Sequence, residues 1–112
     1  MIMRRWRGAV RPDDAEAYLA HQGGTGVRDY RATEGNLGAF VLRRPVGDLV
    51  EVVTVSLWRS MDDVRRFAGD EPEVAVFYPG DDDFLVEKDP HVDHWEVVDA
   101  DLDPGLSTVA PS

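Results

Sequence analysis

The chain has no cysteine. Disulfides, thiolate metal sites, thiol nucleophiles and Cys-ligated iron–sulfur clusters are therefore excluded together. No run approaches the roughly eighteen consecutive apolar residues that a membrane-spanning helix needs. The basic start, Met1 to Arg7, is not followed by an apolar h-region or a small-residue cleavage site. The missing export signal leads us to expect a cytoplasmic protein. Positive charge is also scarce: 12 Lys and Arg stand against 22 Asp and Glu, a formal net charge of -10. Such a surface repels phosphate backbones and anionic lipid, so neither nucleic acid nor a membrane is an expected partner. What is present, 112 residues that are 43% hydrophobic and 30% charged, suits one globular domain with a real core and no room for a second.

The charge is polarised. Arg4, Arg5, Arg7 and Arg11 give the first eleven residues +4, whereas residues 62–103 carry fifteen acids against Arg65, Arg66 and Lys88. The plainest expectation is that basic side chains of a first strand pair with an acidic surface. Ile2 to Ala9 alternates in the manner of such a strand, with Ile2, Arg4 and Trp6 on one side and Met3, Arg5 and Arg7 on the other. Asp13 and Glu16 have capping-box spacing ahead of Ala15, Tyr18 and Leu19, which predicts a helix. Gly23, Gly24 and Gly26 should stop it. Strands follow at Leu37–Val46 and Leu49–Trp58, joined by Gly47-Asp48, a pair suited to a type II′ hairpin. Ser60 should cap a second helix through Phe67 and Ala68, ended by Gly69. The pattern further predicts a short helix over Pro72–Tyr78, a turn over Asp81–Phe84, a last strand over His91–Val98 and, from about residue 100, a flexible tail over 100–112. The domain then spans 1–99. The order strand, helix, strand, strand, helix, strand predicts an α+β fold: a ferredoxin-like βαββαβ antiparallel sheet with its helices on one face.

The third strand is apolar on both sides. Val50, Val52 and Trp58 share one face, and Val53, Val55 and Leu57 share the other. Helices on one side of the sheet leave the other uncovered, and a second copy of the chain is the economical cover. We therefore expect a homodimer formed through the sheet.

Familiar catalytic motifs are missing. Gly23-Gly24-Thr25-Gly26 lacks the Lys and the strand–helix context of a phosphate loop. His91 and His94 fall on opposite faces of a strand, and His21 has no acidic partner at ligand spacing, so no metal site is indicated. No serine sits in a Gly-x-Ser-x-Gly elbow. What remains is a set of aromatic and basic residues: Arg4 and Trp6 in one layer, Trp58, His94, and Tyr30, Phe77 and Tyr78 from the connections. An arginine facing the helices needs a partner, either a ligand anion or a carboxylate such as Glu96, which shares a face with His94.

Trp6-Arg7-Gly8, Ser56-Leu57-Trp58, Phe67-Ala68-Gly69-Asp70, Phe77-Tyr78-Pro79 and His94-Trp95-Glu96-Val97, in that order over residues 1–99, resemble the small antibiotic biosynthesis monooxygenase-like domains. The resemblance implies a sheet-to-sheet dimer forming an α+β barrel, with a cavity between each sheet and its helices. In active members it implies oxygenation of a planar phenol or quinol with no cofactor, neither metal nor flavin. The alternative is a non-catalytic small-molecule binding or structural protein of the same barrel. By the resemblance, Trp58 lines the pocket, His94 accepts a proton, Arg4 stabilises an anion and Trp6 stacks on the ligand, with Tyr30, Phe77 and Tyr78 completing the binding surface. The haem-degrading branch uses a first-strand asparagine and a histidine after the second helix. Arg4 or Trp6 and Phe77-Tyr78 stand near those positions here, so haem ligation is not expected.

Overall fold

A computed structural model describes residues 1–106. Its strands are β1 (Ile2–Val10), β2 (Asn36–Val46), β3 (Leu49–Trp58), β4 (Leu85–Lys88) and β5 (Asp93–Glu96), and its helices are α1 (Ala15–Gly23), α2 (Gly26–Ala32) and α3 (Met61–Ala68). All pairings in the sheet are antiparallel, in the order β2-β3-β1-β4, with β5 also pairing with β1. This is the ferredoxin-like arrangement expected from the element order. Val46 faces Leu49 across a two-residue turn in which Gly47 takes φ +58, a conformation that costs glycine little.

Period-two alternation sorts the strands into two faces. Arg4 lies opposite Ser56, Trp6 opposite Thr54 and Gly8 opposite Val52, so these residues share the face covered by the helices. That face holds two apolar clusters. At one end Val10, Ala15, Tyr18 and Val52 pack together with Leu19, Phe84 and Leu85; at the other Tyr30, Trp58 and Val64 pack with Ile2, Val27 and Phe67. Each fully buried large side chain contributes roughly 1.5–3 kcal/mol. On the opposite face, Phe40, Leu42 and Trp95 are 41%, 49% and 49% exposed. The first-strand arginines on this face reach the acidic pole, Arg5 pairing with Asp93 at 3.7 Å and Arg7 with Glu87 at 3.1 Å, and Arg7 also pairs with Glu51 of β3 at 2.6 Å.

Four local expectations are corrected. Pro12–Asp14 forms a 3-10 turn, and Asp14, not Asp13, precedes α1 without a side-chain cap, so the Asp13–Glu16 capping box does not form. The glycines end α1, but the chain resumes as α2 at Gly26. Pro72–Tyr78 is not helical. Its backbone groups bond elsewhere: the Pro72 and Val74 carbonyls accept from Arg4, Ala75 N–H donates to Pro90, and the Glu73 carbonyl accepts from Val92. The last strand is shorter than the 91–98 expected, β5 covering Asp93–Glu96, and an unexpected strand, β4, precedes it along the same edge of β1. Ser60 does cap α3, accepting from Asp63 N–H at 3.3 Å. Of the tail expected over 100–112, residues 107–112 lie outside the described residues, and 100–106 are exposed.

Candidate functional site

Between the two apolar clusters the covered face turns polar, at the level of Arg4, Ser56 and Thr54. Arg4 is 3% exposed. Its guanidinium donates to the Pro72 carbonyl, to the Val74 carbonyl at 3.3 Å and to Nε2 of His94 at 3.1 Å, and it lies over the Phe67 ring. No carboxylate pairs with it among the described residues, and Glu96 stays exposed on β5. Burial pulls the Arg4 pKa below its ordinary value, opposed by the Tyr30 hydroxyl, but an arginine titrates so high that it stays charged. A buried cation is thus held by two backbone carbonyls and a histidine, which is an incomplete set for an ion removed from water.

β1 and β5 position this pair by register, since Arg4 lies opposite His94. Nε2 of His94 accepts from Arg4, which fixes the neutral ring with its proton on Nδ1. Burial first, and then the Arg4 charge, lower the His94 pKa, against a smaller pull from Glu73 and Asp93. The lone pair that a proton acceptor would use is already engaged.

Trp6 is fixed in the same layer. Its Nε1 donates to the Asp89 carbonyl at 2.9 Å, in the gap between β4 and β5, and its ring meets Phe77 edge to face. The indole lies along its own strand over Gly8, where a Cβ would sit 2.5 Å from Trp6 Cη2. Glycine is required there by close approach rather than by backbone angle.

A cavity of about 30 Å³ opens beside these groups, room for a water molecule or two. Arg4, Trp6, Tyr30, Phe77 and Tyr78, all expected from the sequence, line it. Trp58 and His94 do not. Trp58 is fully buried one layer away, donating to Ser56 Oγ at 2.8 Å and packing against Tyr30 and Phe67. His94 stands behind Arg4. An outer groove of about 260 Å³ shares two lining side chains with the cavity, Phe67 and Tyr78. The Tyr78 hydroxyl donates to Asp29 at 2.8 Å, which holds the Asp29 carboxyl below its usual range. Burial, and then that hydrogen bond, push the Tyr78 pKa up.

The cavity wall contains groups that sequence reasoning missed. Asp81, 8% exposed, binds His21 Nε2 at 2.7 Å and Tyr78 N–H at 2.7 Å. His21 does therefore have an acidic partner, but one sixty positions away and brought near only by the fold. Gln22 and Thr54 line the cavity as well. A signal for Gln22 existed: it lies one turn beyond Tyr18 on the inward stripe of α1. Among the described residues, no group of three or more His, Cys, Asp or Glu could hold a metal ion, and no helix is long and apolar enough to cross a membrane.

No family model and no curated protein matches the chain. Solved structures do. A Bacillus cereus protein assigned to the antibiotic biosynthesis monooxygenases aligns with 92% of this chain and 96% of its own at 18% identity, with a TM-score of 0.65. The Pseudomonas aeruginosa protein PA3566 aligns over 88% and 94% at 18% identity with a TM-score of 0.58. SnoaB, a cofactor-independent oxygenase from Streptomyces nogalater, aligns over 88% and 93% at 13% identity with a TM-score of 0.53. At these identities the likeness speaks for the fold, and the chain has the fold of the antibiotic biosynthesis monooxygenase-like proteins.

Proposed function

We propose that this protein binds a planar aromatic phenol or quinol as its anion in the cavity beside Arg4 and, in the oxygenase reading, presents it to dioxygen without a metal or flavin. The observation that carries the proposal is the buried guanidinium of Arg4, which has no carboxylate partner among the described residues and lines an aromatic-walled cavity. An opposite charge at this depth favours the ionised form of a phenol, and Trp6, Tyr30 and Phe77 offer ring faces for stacking. His94 is a positioning residue in this scheme. It holds Arg4 from behind, and the substrate anion needs no further protein base once the guanidinium has lowered its pKa.

The cavity at rest is far smaller than an ordinary ligand pocket. A ring-sized ligand enters by displacing Phe77 and Tyr78, which belong to a segment without helix or strand. In the reaction the anion gives an electron to dioxygen. One oxygen atom then joins the ring carbon, and the other leaves as water with the hydrogen of that carbon and the proton that the phenol gave up to solvent on ionising. That step gains from a dry site and an electrostatically held anion.

We further propose that two copies meet through the open sheet face around Phe40, Leu42 and Trp95, giving the barrel expected of this fold. The second functional reading is a binding protein of the same architecture, favoured by the small size of the resting cavity. Oxygen uptake by metal-free protein with an anthrone- or naphthol-like compound decides between the two. Quenching of tryptophan fluorescence with oxygen consumption supports the oxygenase, and quenching without it leaves the binding protein. Arg4→Gln, which removes the charge, should weaken binding by about 10- to 100-fold, the range of a hydrogen bond to a charged group. Unchanged affinity in that variant would remove the basis of both readings.

A further inference from the structure

The polar groups around the cavity are nearly all committed to protein partners. Trp6 Nε1 donates to Asp89, Tyr78 donates to Asp29, and both Asp81 oxygens accept, one from His21 and one from the Tyr78 backbone. Gln22 differs. It is 7% exposed, it lines the cavity from α1, and its Oε1 is buried with no hydrogen-bond partner among the described residues. Buried polar atoms nearly always have a partner, so an orphaned acceptor on a residue that lines the cavity calls for a donor beside it.

We propose that Gln22 is the second anchor of the ligand and a specificity residue: it accepts a hydrogen bond from a hydroxyl or N–H group that the ligand carries apart from the oxyanion held by Arg4. The inference rests on the aromatic-anion reading above and narrows it. With Oε1 turned to the ligand the carboxamide accepts, and it then pairs with a hydroxyl and not with an ether or carbonyl oxygen. Arg4 only donates. The two anchors therefore ask for opposite things and fix which end of the ligand goes where. A site built to pair with a substrate hydroxyl rejects the analogue that lacks it, because the buried protein group is then left unpaired. Among the described residues, Gln22 Oε1 makes no bond that folding would lose, a pattern expected of a side chain kept for a ligand rather than for stability.

The test uses the full chain, calorimetric titration, and a panel of dihydroxynaphthalenes beside their monomethyl ethers, each of which keeps one ionisable hydroxyl and loses the second donor. Wild-type protein should prefer at least one diol over its ether by about tenfold, the scale of one hydrogen bond. In Gln22→Met, close in shape but apolar, that preference should shrink to about twofold or less, with the ether bound as before and the melting midpoint no lower than wild type. A preference that survives in Gln22→Met would overturn the assignment. A lowered midpoint with equal loss of diol and ether would also overturn it, by making Gln22 a packing residue. If wild-type protein binds neither diol nor ether, the aromatic-anion reading itself fails and takes this inference with it; binding of both without preference removes Gln22 alone.

Discussion

The two faces of the sheet reverse the usual division between inside and outside. The covered face holds a buried arginine, a buried serine and threonine, and a cavity in the middle of its core, while the open face shows Phe40, Leu42 and Trp95 to solvent. The polar groups of the covered face come from the central strands β1 and β3, and the apolar side chains of the open face from the flanking β2 and β5. On the covered face the apolar work is done at the two ends, around Val10 and Tyr18 and around Trp58 and Tyr30, which leaves the middle free for polar groups that contribute little to stability. On the open face the order is opposite. Apolar side chains are exposed, and the charges there, Arg7 and Arg44 around Glu51, satisfy one another, with the Glu51 carboxyl held below its usual range by the Arg7 and then the Arg44 hydrogen bonds. In the function proposed above, one face takes a small molecule and the other a second copy of the chain.

The sharpest way to break that comparison is at the end of the covered face. Trp58→Ala opens a void among Tyr30, Phe67 and Val64 and leaves Ser56 Oγ without its donor, and should cost about 3–5 kcal/mol in urea denaturation. On the open face, Phe40→Asp should leave the unfolding free energy of the protomer within about 0.5 kcal/mol, as for other exposed positions. Light scattering should nevertheless read the protomer mass of 12.5 kDa for this variant and twice that for wild type. A wild-type protein already at the protomer mass across the micromolar range would remove the proposed dimer.

The smallest effect is a pH dependence. The folded protein holds the His94 pKa below its ordinary value, so the native state favours the neutral ring. The stability tied to that ring is present above about pH 6.5, the unfolded value, and is lost as pH falls through the lower folded value. Protonation also removes the acceptor for Arg4. Melting midpoints between pH 7 and pH 5 should fall more steeply in wild type than in His94→Gln, which keeps an acceptor and cannot titrate. Parallel curves would show that His94 does not carry the effect.

Much of the frame could be read from local pattern. The parity of Arg4 and Trp6, the two-sided apolar character of β3, the Gly47 turn and the Ser60 cap are each set by neighbours a few residues apart, and the structure has them where they were expected. What could not be read depends on distant partners. Val74, Phe77 and Tyr78 have helical spacing, yet the carbonyls of this segment turn to Arg4, nearly seventy positions away. The strand β4 was not anticipated, and it ends just before Asp89, whose carbonyl Trp6 takes. Asp81 reaches His21 only through the fold, and Gln22 is conspicuous only once its oxygen is seen to lack a donor. Gln22 apart, in each case a side chain of the site, or one beside it, has claimed a backbone or polar group that local pattern would have assigned elsewhere. The part of the chain hardest to anticipate from sequence is therefore the part bent around the cavity.

The bare backbone beneath Trp6 makes residue 8 a volume control for the chamber. A single added methyl at Gly8 would collide with the far edge of the indole and tilt that ring away from the strand, toward Phe77 and the space a guest would occupy. Residue 8 thus governs the shape of a cavity wall that it does not itself line.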